Sequence, residues 1–287
     1  MSSIIEIKDL NFTYQPGSPY QRQALKNINF ILNQGEFLGI VGSNGSGKST
    51  LVQHLNGLLS PTSGEVIVCG VDTANNEFRN QLWKQAGLVF QYPEQQLFEA
   101  TIYEEVAYGP KNLGLSELDM RNRVYDALEK VGLIPRETQH LAPITLSGGM
   151  RRRVAIAGIL ALQPKLIIMD EPMAGLDSIG RNLMLDLMKD RKQKGNETTV
   201  MISHSLKDIW ALADKIAVLD KGSLVFYGEV EKLLGKTELL TKCHLELPDY
   251  LQVVYSLAAR GLKVNTTIRS IEEASSEIIK LLQEAEL

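Results

Sequence analysis

The feature that most constrains the fold of this chain is a glycine-rich run that follows a continuous apolar stretch. Phe37 to Val41 is followed directly by Gly42-Ser43-Asn44-Gly45-Ser46-Gly47-Lys48-Ser49-Thr50. The spacing G-x-x-x-x-G-K-S is that of a phosphate-binding loop, which lies between a buried strand and the start of a helix. We therefore expect a strand over 37–41, a helix that begins near Lys48, and a nucleoside triphosphate bound between them.

The residue types of this loop suit phosphate chemistry. Its glycines let successive backbone N–H groups turn toward phosphate oxygens, and the helix amino terminus adds a partial positive charge. The Lys48 ammonium can reach the β- and γ-phosphates, and the Ser49 hydroxyl is a ligand for Mg²⁺. Residues 42–50 are thus the predicted phosphate site.

Two adjacent carboxylates follow a second apolar run. Leu166 to Met169 is followed by Asp170 and Glu171. The carboxyl end of a buried strand is where an α/β sheet opens its ligand crevice, so Asp170 is placed to hold Mg²⁺. Glu171 comes next, so we expect its side chain on the other side of the strand and expect it to polarise an attacking water. A solvated acidic turn is the alternative interpretation.

Apolar runs and helical patterns alternate along the chain. We predict strands at 65–68, 88–90, 166–169, 198–202 and 215–219, and helices at 117–131, 148–162 and 178–194. This alternation indicates an α/β fold with a parallel sheet and helices on its faces. Residues 3–41 contain shorter alternating runs separated by turn residues, which favour antiparallel strands.

The pattern changes after Gly228. Residues 230–287 contain no triphosphate motif, and their apolar residues Ile271, Ala274, Ile278, Leu281 and Leu282 follow helical spacing. We place a boundary here, with a nucleotide-binding domain over 1–229 and a small helical domain over 230–287. The apolar face of this tail is expected to pack on its own domain or on a second subunit.

Composition narrows the class of protein. The chain has 287 residues, a net charge of −4 and two cysteines far apart in sequence. No global basic field indicates nucleic acid as a partner, and the cysteines favour a reducing compartment. The basic runs 151–153 and 189–194 are expected on solvated helix faces. No apolar run reaches the ~18 residues that span a bilayer, so we expect a cytoplasmic protein that meets the membrane through a partner.

A third motif stands between the first two. It is Leu146-Ser147-Gly148-Gly149-Met150, and the order of the three motifs resembles the nucleotide-binding subunits of ABC transporters over residues 4–228. The 146–150 run is similar to the signature motif of that family. Further positions resemble the remaining motifs of the family. Gln91 resembles the Q-loop glutamine, and residues 174–177 resemble the D-loop, which ends in Asp177. His204 resembles the switch histidine, and Tyr14 resembles the aromatic residue that stacks on adenine.

The resemblance implies a fold, an activity and an assembly. The fold is a P-loop ATPase domain with a mostly parallel sheet, an antiparallel β subdomain and a helical subdomain. ATP is the implied nucleotide, Mg²⁺ is held by Ser49, Gln91 and Asp170, and Glu171 and His204 orient the attacking water. By this resemblance, Ser147, Gly148 and Gly149 would contact the ATP of a second ATPase subunit. Hydrolysis would therefore need a dimer, and the sequence leaves homodimer and heterodimer open.

Residues 88–115 resemble one branch of that family, the ATPases of energy-coupling factor transporters. The runs Pro93-Glu94-Gln95-Gln96-Leu97-Phe98 and Gly109-Pro110-Lys111-Asn112 carry this resemblance, and residues 14–19 and 152–158 are similar to the second of the two paralogous ATPases of the branch. It implies a peripheral protein on the cytoplasmic face of the cell membrane that drives uptake of vitamins or transition-metal ions. Its partners would be a transmembrane coupling protein and a substrate-binding membrane protein, and its tail would help join the two ATPases.

Three details qualify the resemblance. Leu97 and Phe98 suit docking of a partner's amphipathic helix, although ordinary core packing is the alternative. Met150 stands where most relatives have Gln, and Met173 where most have Thr. Neither position carries the main charge chemistry, so we expect activity to persist, with a change in rate or partner asymmetry.

Two other functions stay open from the sequence alone. One is the ATPase subunit of another type of ABC transporter, which would co-purify with a soluble solute receptor. The other is a soluble ABC ATPase that acts on ribosomes or DNA. A single cassette, the lack of a long coiled coil and the slightly acidic charge argue against this last function.

Overall fold

The strands form two sheets in the computed structural model, which describes residues 2–285. The strands are β1 (Ser3–Tyr14), β2 (Arg22–Asn33), β3 (Phe37–Gly42), β4 (Ser63–Val68), β5 (Val71–Asp72), β6 (Ala86–Val89), β7 (Leu166–Asp170), β8 (Thr198–Ile202), β9 (Lys215–Asp220) and β10 (Ser223–Glu229). A four-stranded antiparallel sheet has the order β2-β1-β4-β5, and a six-stranded sheet has the order β10-β9-β3-β8-β7-β6. All pairs of the larger sheet are parallel except β10 with β9.

Burial separates the two kinds of strand. Every residue of β3 and β8 is buried, as expected for central parallel strands covered on both faces. In β1 the apolar residues Ile5, Ile7 and Leu10 are buried while Lys8 and Asp9 are exposed. This pattern is typical of a sheet that has one face on the core and one face exposed to solvent. The predicted α/β fold with an antiparallel subdomain is therefore confirmed.

Helices connect and cover the larger sheet. They are α1 (Lys48–Leu55), α2 (Asn76–Arg79), α3 (Ile102–Asn112), α4 (Glu117–Lys130), α5 (Pro135–Thr138), α6 (Gly148–Leu160), α7 (Ser178–Gln193), α8 (Leu206–Trp210), α9 (Thr237–Lys242), α10 (Asp249–Ala259) and α11 (Ile271–Ala285). Several begin at side-chain caps: Thr101 forms a capping box with Glu104, and Ser116 accepts a hydrogen bond from the backbone N–H of Asp119. Within residues 2–285, none of the helices has the length and apolar character needed to span a bilayer.

The expectation that both basic runs lie on solvated helix faces is wrong for one arginine in each. Arg152 is 4% exposed and Arg191 is 5% exposed. Arg152 precedes the buried Ile156 and Leu160 by one and two turns of α6, and Arg191 follows the buried Leu187 by one turn of α7. Their position in the helical period therefore places both on the inner face, where they bond to carbonyl oxygens.

The residues after Glu229 pack against the α/β domain. Trp210 Nε1 donates to the carbonyl of Ile268 at 2.8 Å, and Arg269 Nη1 donates to the carbonyls of Trp210 and Ala213 at 2.7 and 3.0 Å. The Arg269 guanidinium also lies over the Trp210 ring. These contacts tie the segment before α11 to α8 and the loop after it.

A single buried apolar cluster runs across the predicted boundary. It contains Val230, Leu233, Leu251 and Val254 of the tail together with core residues of the larger sheet. Of the apolar face predicted for α11, Ala274 is buried, Ile278 and Leu281 are half-buried, and Ile271 and Leu282 are exposed. One part of this face therefore packs on its own domain and another part faces solvent, while the division into two domains stays a prediction.

Candidate active site

Four neighbouring strands bring the predicted site residues to one edge of the larger sheet. The phosphate loop follows β3, His204 follows β8, Asp170 ends β7, and Gln91 follows β6. A cavity of ≈ 360 Å³, which we call the phosphate cavity, opens there. Its lining residues are Tyr14, Arg22, Ala24, Asn44, Gly45, Gly47, Lys48, Ser49, Thr50, Gln91, Asp170, Glu171 and His204. Residues from four distant parts of the sequence thus converge, because the carboxyl ends of parallel strands share an edge.

The phosphate loop needs glycine at Gly47. Its φ is +107°, and a Cβ atom there would lie 2.8 Å from the carbonyl oxygen of Ala24. The Lys48 ammonium donates to the carbonyl oxygens of Gly42 and Ser43 at 2.8 and 3.0 Å. Burial lowers the pKa of Lys48, and the carboxylates of Glu171 and Asp170 oppose this shift. The loop therefore places the Lys48 ammonium at the amino terminus of helix α1.

Oxygen ligands suited to Mg²⁺ lie beside this cation. Ser49 Oγ donates to Asp170 Oδ2 at 3.3 Å, and Gln91 lines the same cavity. Burial raises the pKa of Asp170, while the Ser49 hydrogen bond and the Lys48 charge oppose the shift. Hydroxyl, carboxylate and amide oxygens are the hard ligands that Mg²⁺ prefers beside phosphate oxygens, so the donor set fits this ion.

Glu171 adopts a backbone conformation that the sequence does not reveal. Its φ is +51°, and its N–H donates to the carbonyl of Ile202 on β8 at 3.0 Å. A side chain that follows Asp170 on a regular strand would point to the opposite face. Strand β7 ends at Asp170, and the backbone of Glu171 has a left-handed conformation. Both carboxylates therefore line the same cavity, whereas we expected them on opposite sides of the strand.

Glu171 and His204 form a pair at this cavity. Glu171 Oε1 lies 3.3 Å from His204 Nε2, and the two side chains are 12% and 50% exposed. Burial raises the pKa of Glu171, and His204 acts against the shift. A half-buried carboxylate with a raised pKa beside an imidazole can accept a proton from a water molecule, which is the chemistry of a general base.

The end of the cavity formed by β1 and β2 combines one predicted residue with one that we missed. The Tyr14 hydroxyl lies 3.1 Å from Thr50 Oγ1, which ties the end of β1 to the phosphate loop. Arg22 lies opposite Tyr14 in the β1–β2 pairing and lines the same cavity. Only the register of this hairpin, set by the turn at Pro16-Gly17, pointed to Arg22.

The 146–150 run lies away from the phosphate cavity. Ser147 caps α6 by accepting a hydrogen bond from Met150 N at 3.3 Å, and Asp177 caps α7 by accepting one from Gly180 N at 2.7 Å. A separate cavity of ≈ 420 Å³ lies between these helix starts; its lining includes Ser147, Gly149, Met150 and Asp177. Gly42, Ser43 and Ser46 of the predicted set are absent from the phosphate-cavity lining, although their backbone shapes the loop.

Met150 and Met173, which stand where the resemblance leads us to expect Gln and Thr, lie in or against the core and not at the phosphate cavity. Met173 is buried in the core, and Met150 is half-buried and packs against that core. Neither side chain lines the phosphate cavity in the part of the chain that the structure describes.

A third cavity, of ≈ 620 Å³, lies between α3, α6 and the segment after Gln91. We call it the docking groove and define it by Trp83, Leu88, Val89, Pro93, Gln96, Leu97, Phe98, Glu105, Tyr108, Gly109, Asn112, Ala155, Gly158, Ile159 and Leu162. Phe98 is 65% exposed and its ring meets that of Tyr108 edge to face at 5.1 Å. Leu97 is half-buried and packs on the core, so the two residues differ in environment.

Comparison with known proteins gives this geometry a family. A family model described as "ABC transporter" matches residues 25–174. The chain is 44% identical over 280 residues to the "Energy-coupling factor transporter ATP-binding protein EcfA2" of Caldanaerobacter subterraneus, covering 97% of this chain and 98% of that protein. It is 42% identical over 282 residues to the protein of the same name from Clostridium acetobutylicum, covering 98% and 99%. The chain belongs to the ABC transporter ATPases, in the energy-coupling factor branch.

Solved structures support the same assignment. One is cbiO1 of Clostridium perfringens, described as part of the ABC transporter complex cbiONQ, with 33% identity, a TM-score of 0.73 and coverage of 84% of this chain and 94% of that one. Another is the ATP-binding cassette MJ0796 as a dimer bound to ADP and Pi, with 30% identity, a TM-score of 0.71 and coverage of 79% and 98%. As an ABC ATPase of this branch, the chain binds and hydrolyses ATP.

Proposed function

We propose that this ATPase powers an energy-coupling factor importer of vitamins or transition-metal ions from the cytoplasmic face of the cell membrane. The observation that carries the proposal is the convergence of Lys48, Asp170, Glu171 and His204 on one cavity of ≈ 360 Å³. The relatives reported above carry the name of energy-coupling factor transporters, and uptake is the direction of transport that the resemblance to this branch implies.

The roles of the site residues follow from charge and reach. Lys48 and His204 meet the negative charge that develops on the transferred phosphoryl group, and Glu171 orients and deprotonates the attacking water. Ser49, Asp170 and Gln91 would hold Mg²⁺, which neutralises phosphate charge when bound. Tyr14 would stack on the adenine. Because phosphoryl transfer depends mainly on positioning and charge, this set is the contribution that one chain makes to hydrolysis.

The signature glycines support a dimer as the active form. A Cβ atom added to Gly148 or Gly149 would meet nothing within 4 Å, and neither residue has a positive φ. Glycine loses more conformational freedom on folding than alanine does, so the fold of this chain does not itself explain why glycine stands at these two positions. Close approach of a ligand to the exposed backbone N–H groups does. We propose that this ligand is the ATP held by a second ATPase subunit.

The docking groove suits a membrane partner. It lies directly after Gln91 and combines aromatic rings at Trp83, Phe98 and Tyr108 with small residues on α6. A cytoplasmic amphipathic helix of a transmembrane coupling protein is the occupant we propose, because such helices bind by apolar anchors in grooves of this kind.

Co-purification from membranes tests the proposal. A tagged chain should bring down a second ATPase, a transmembrane protein and a small substrate-binding membrane protein. Phe98→Asp should release the membrane proteins, whereas Ile31→Asp, at a 49% exposed position on β2, should retain them. Recovery of a soluble solute receptor would favour another ABC transporter type, and recovery of ribosomes or DNA would favour a soluble ATPase.

A further inference from the structure

Arg152 connects three separate backbone segments around the phosphate cavity without lining that cavity itself. Its Nη2 donates to the carbonyl oxygens of Glu171 at 2.7 Å and of Gln91 at 3.1 Å, and its Nη1 donates to that of Ala174. These are backbone carbonyls of Glu171 itself, of the loop after β6 and of the segment that leads to Asp177. Arg152 is 4% exposed and does not line the phosphate cavity among the described residues, so it acts on the site through backbone.

The chemistry of arginine suits this arrangement. A guanidinium offers five donors in a rigid plane, whereas a lysine ammonium is a compact point charge that cannot span separated carbonyls in the same way. Burial lowers the pKa of Arg152, and Glu94, Tyr92 and Glu171 oppose the shift. The group keeps its charge because an arginine is not deprotonated in proteins, and a buried cation of this kind is stable only with its acceptors in place.

The helix that carries Arg152 also forms one wall of the docking groove. Ala155, Gly158 and Ile159 of α6 line that groove, and Pro93 and Phe98, just beyond Gln91, line it on another side. A helix placed in the groove therefore touches both elements that Arg152 joins. Displacement of α6 relative to the 91–98 segment would strain the bond from Arg152 Nη2 to the Gln91 carbonyl, and the same nitrogen holds the Glu171 carbonyl.

We propose that Arg152 is a positioning residue that couples occupation of the docking groove to the placement of the Glu171 carboxylate. The inference rests on the function proposed above, in which Glu171 acts on the attacking water and a membrane partner fills the groove. It adds a route by which this partner sets the rate of hydrolysis without contact with the nucleotide.

The test compares Arg152→Lys and Arg152→Gln with Arg191→Lys in the assembled membrane complex. Arg191 is a matched control, since it is 5% exposed, bonds to the carbonyl of Pro164 and pairs with Glu197 at 2.9 Å, away from the phosphate cavity and the docking groove. We measure kcat, KM for ATP, thermal stability, and the ratio of hydrolysis by the complex to hydrolysis by the isolated ATPases.

Both Arg152 variants should lower kcat by roughly 10- to 100-fold, the cost of a misplaced catalytic group, with KM changed by less than about twofold. Their stimulation by the membrane partner should also fall. Arg191→Lys should lower thermal stability while kcat and stimulation persist. If Arg152→Lys fails to fold, Arg152→Gln carries the comparison, because its amide keeps two of the donors.

Unchanged kcat and stimulation in folded Arg152 variants would overturn the inference, as would losses that merely track thermal stability in all three variants. Glu171→Gln, measured in parallel, separates this failure from that of the proposed function. If Glu171→Gln stops turnover while the Arg152 variants keep it, only the positioning role fails. If Glu171→Gln retains turnover, the assigned role of Glu171 fails first.

Discussion

Substitution of Glu171 by glutamine removes one negative charge from the active site and leaves the shape of the side chain nearly unchanged. The native carboxylate is 12% exposed and lies 3.3 Å from His204 Nε2. An amide of the same shape keeps the polar contact with the imidazole but cannot accept a proton from water. Since general-base catalysis contributes about 10²- to 10⁴-fold, kcat should fall by about that factor.

The sign of the stability change follows from the pKa of Glu171. Burial raises this pKa, so the folded protein holds the proton more tightly than the unfolded chain does. For such a group the ionised form costs folding free energy in full at pH values above the folded pKa. The cost shrinks as the pH falls toward the pKa of the unfolded chain, and it is gone below that value. A neutral amide avoids this cost, so thermal stability at pH 7 should be unchanged or higher. ATP affinity should be unchanged or tighter, because one charge that repels the triphosphate is gone.

Three measurements on the assembled complex test this reasoning: phosphate release for kcat, binding of a fluorescent ATP analogue, and thermal unfolding at pH 7. Lys48→Ala serves as the contrast, because it removes the cation of the phosphate loop and should weaken nucleotide binding itself. A Glu171→Gln variant that hydrolyses ATP at the native rate would refute the role of this carboxylate. A variant that loses both turnover and thermal stability would show that the carboxylate is structural.

Three more predictions follow from contacts in the structure. His204 holds down the pKa of Glu171, so His204→Ala should move the acid limb of the pH–kcat profile to higher pH, and an unmoved limb would contradict the pairing. Gly47 has a φ of +107°, and Gly47→Ala places a Cβ atom 2.8 Å from the carbonyl oxygen of Ala24. Denaturant unfolding should show a loss of roughly 1–3 kcal/mol in the free energy of unfolding, and ATP binding should be weaker. An unchanged free energy of unfolding would argue against backbone strain at this position. Arg269→Gln removes the bonds to the carbonyls of Trp210 and Ala213 and should cost about 1.5–3 kcal/mol of unfolding free energy, while an unchanged Tm would show that the tail is anchored elsewhere.

Continuous apolar runs made the larger sheet predictable from the sequence. The strand predicted at 198–202 has the observed bounds, and that at 166–169 extends by one residue to Asp170. Such strands are buried on both faces, so their pattern is independent of what packs on them. The phosphate loop was equally predictable, because its spacing and its place between a strand and a helix are local properties of the chain.

Features that depend on a second segment were not predictable in this way. The inward position of Arg152 was visible in its spacing from Ile156, but a run of three arginines favours solvent on composition alone. Its partners are 19, 22 and 61 residues away in sequence. Arg22 reaches the cavity only through the register of β1 and β2. The left-handed conformation of Glu171 has no local signal, since glutamate disfavours that region and the surrounding fold imposes it.

Helix α6 carries the three features for which we propose a role in coupling. Its first turn carries the exposed signature glycines, its second turn carries Arg152, and its last turns line the docking groove. At 13 residues and a rise of about 1.5 Å per residue, the helix spans about 20 Å. A partner that shifts α6 at the groove therefore also shifts the glycines proposed to meet a second subunit's ATP. Coupling of two binding equilibria is reciprocal. The factor by which the membrane partner raises the equilibrium constant for closure of the ATP-bound dimer must therefore equal the factor by which closure raises the affinity for the partner.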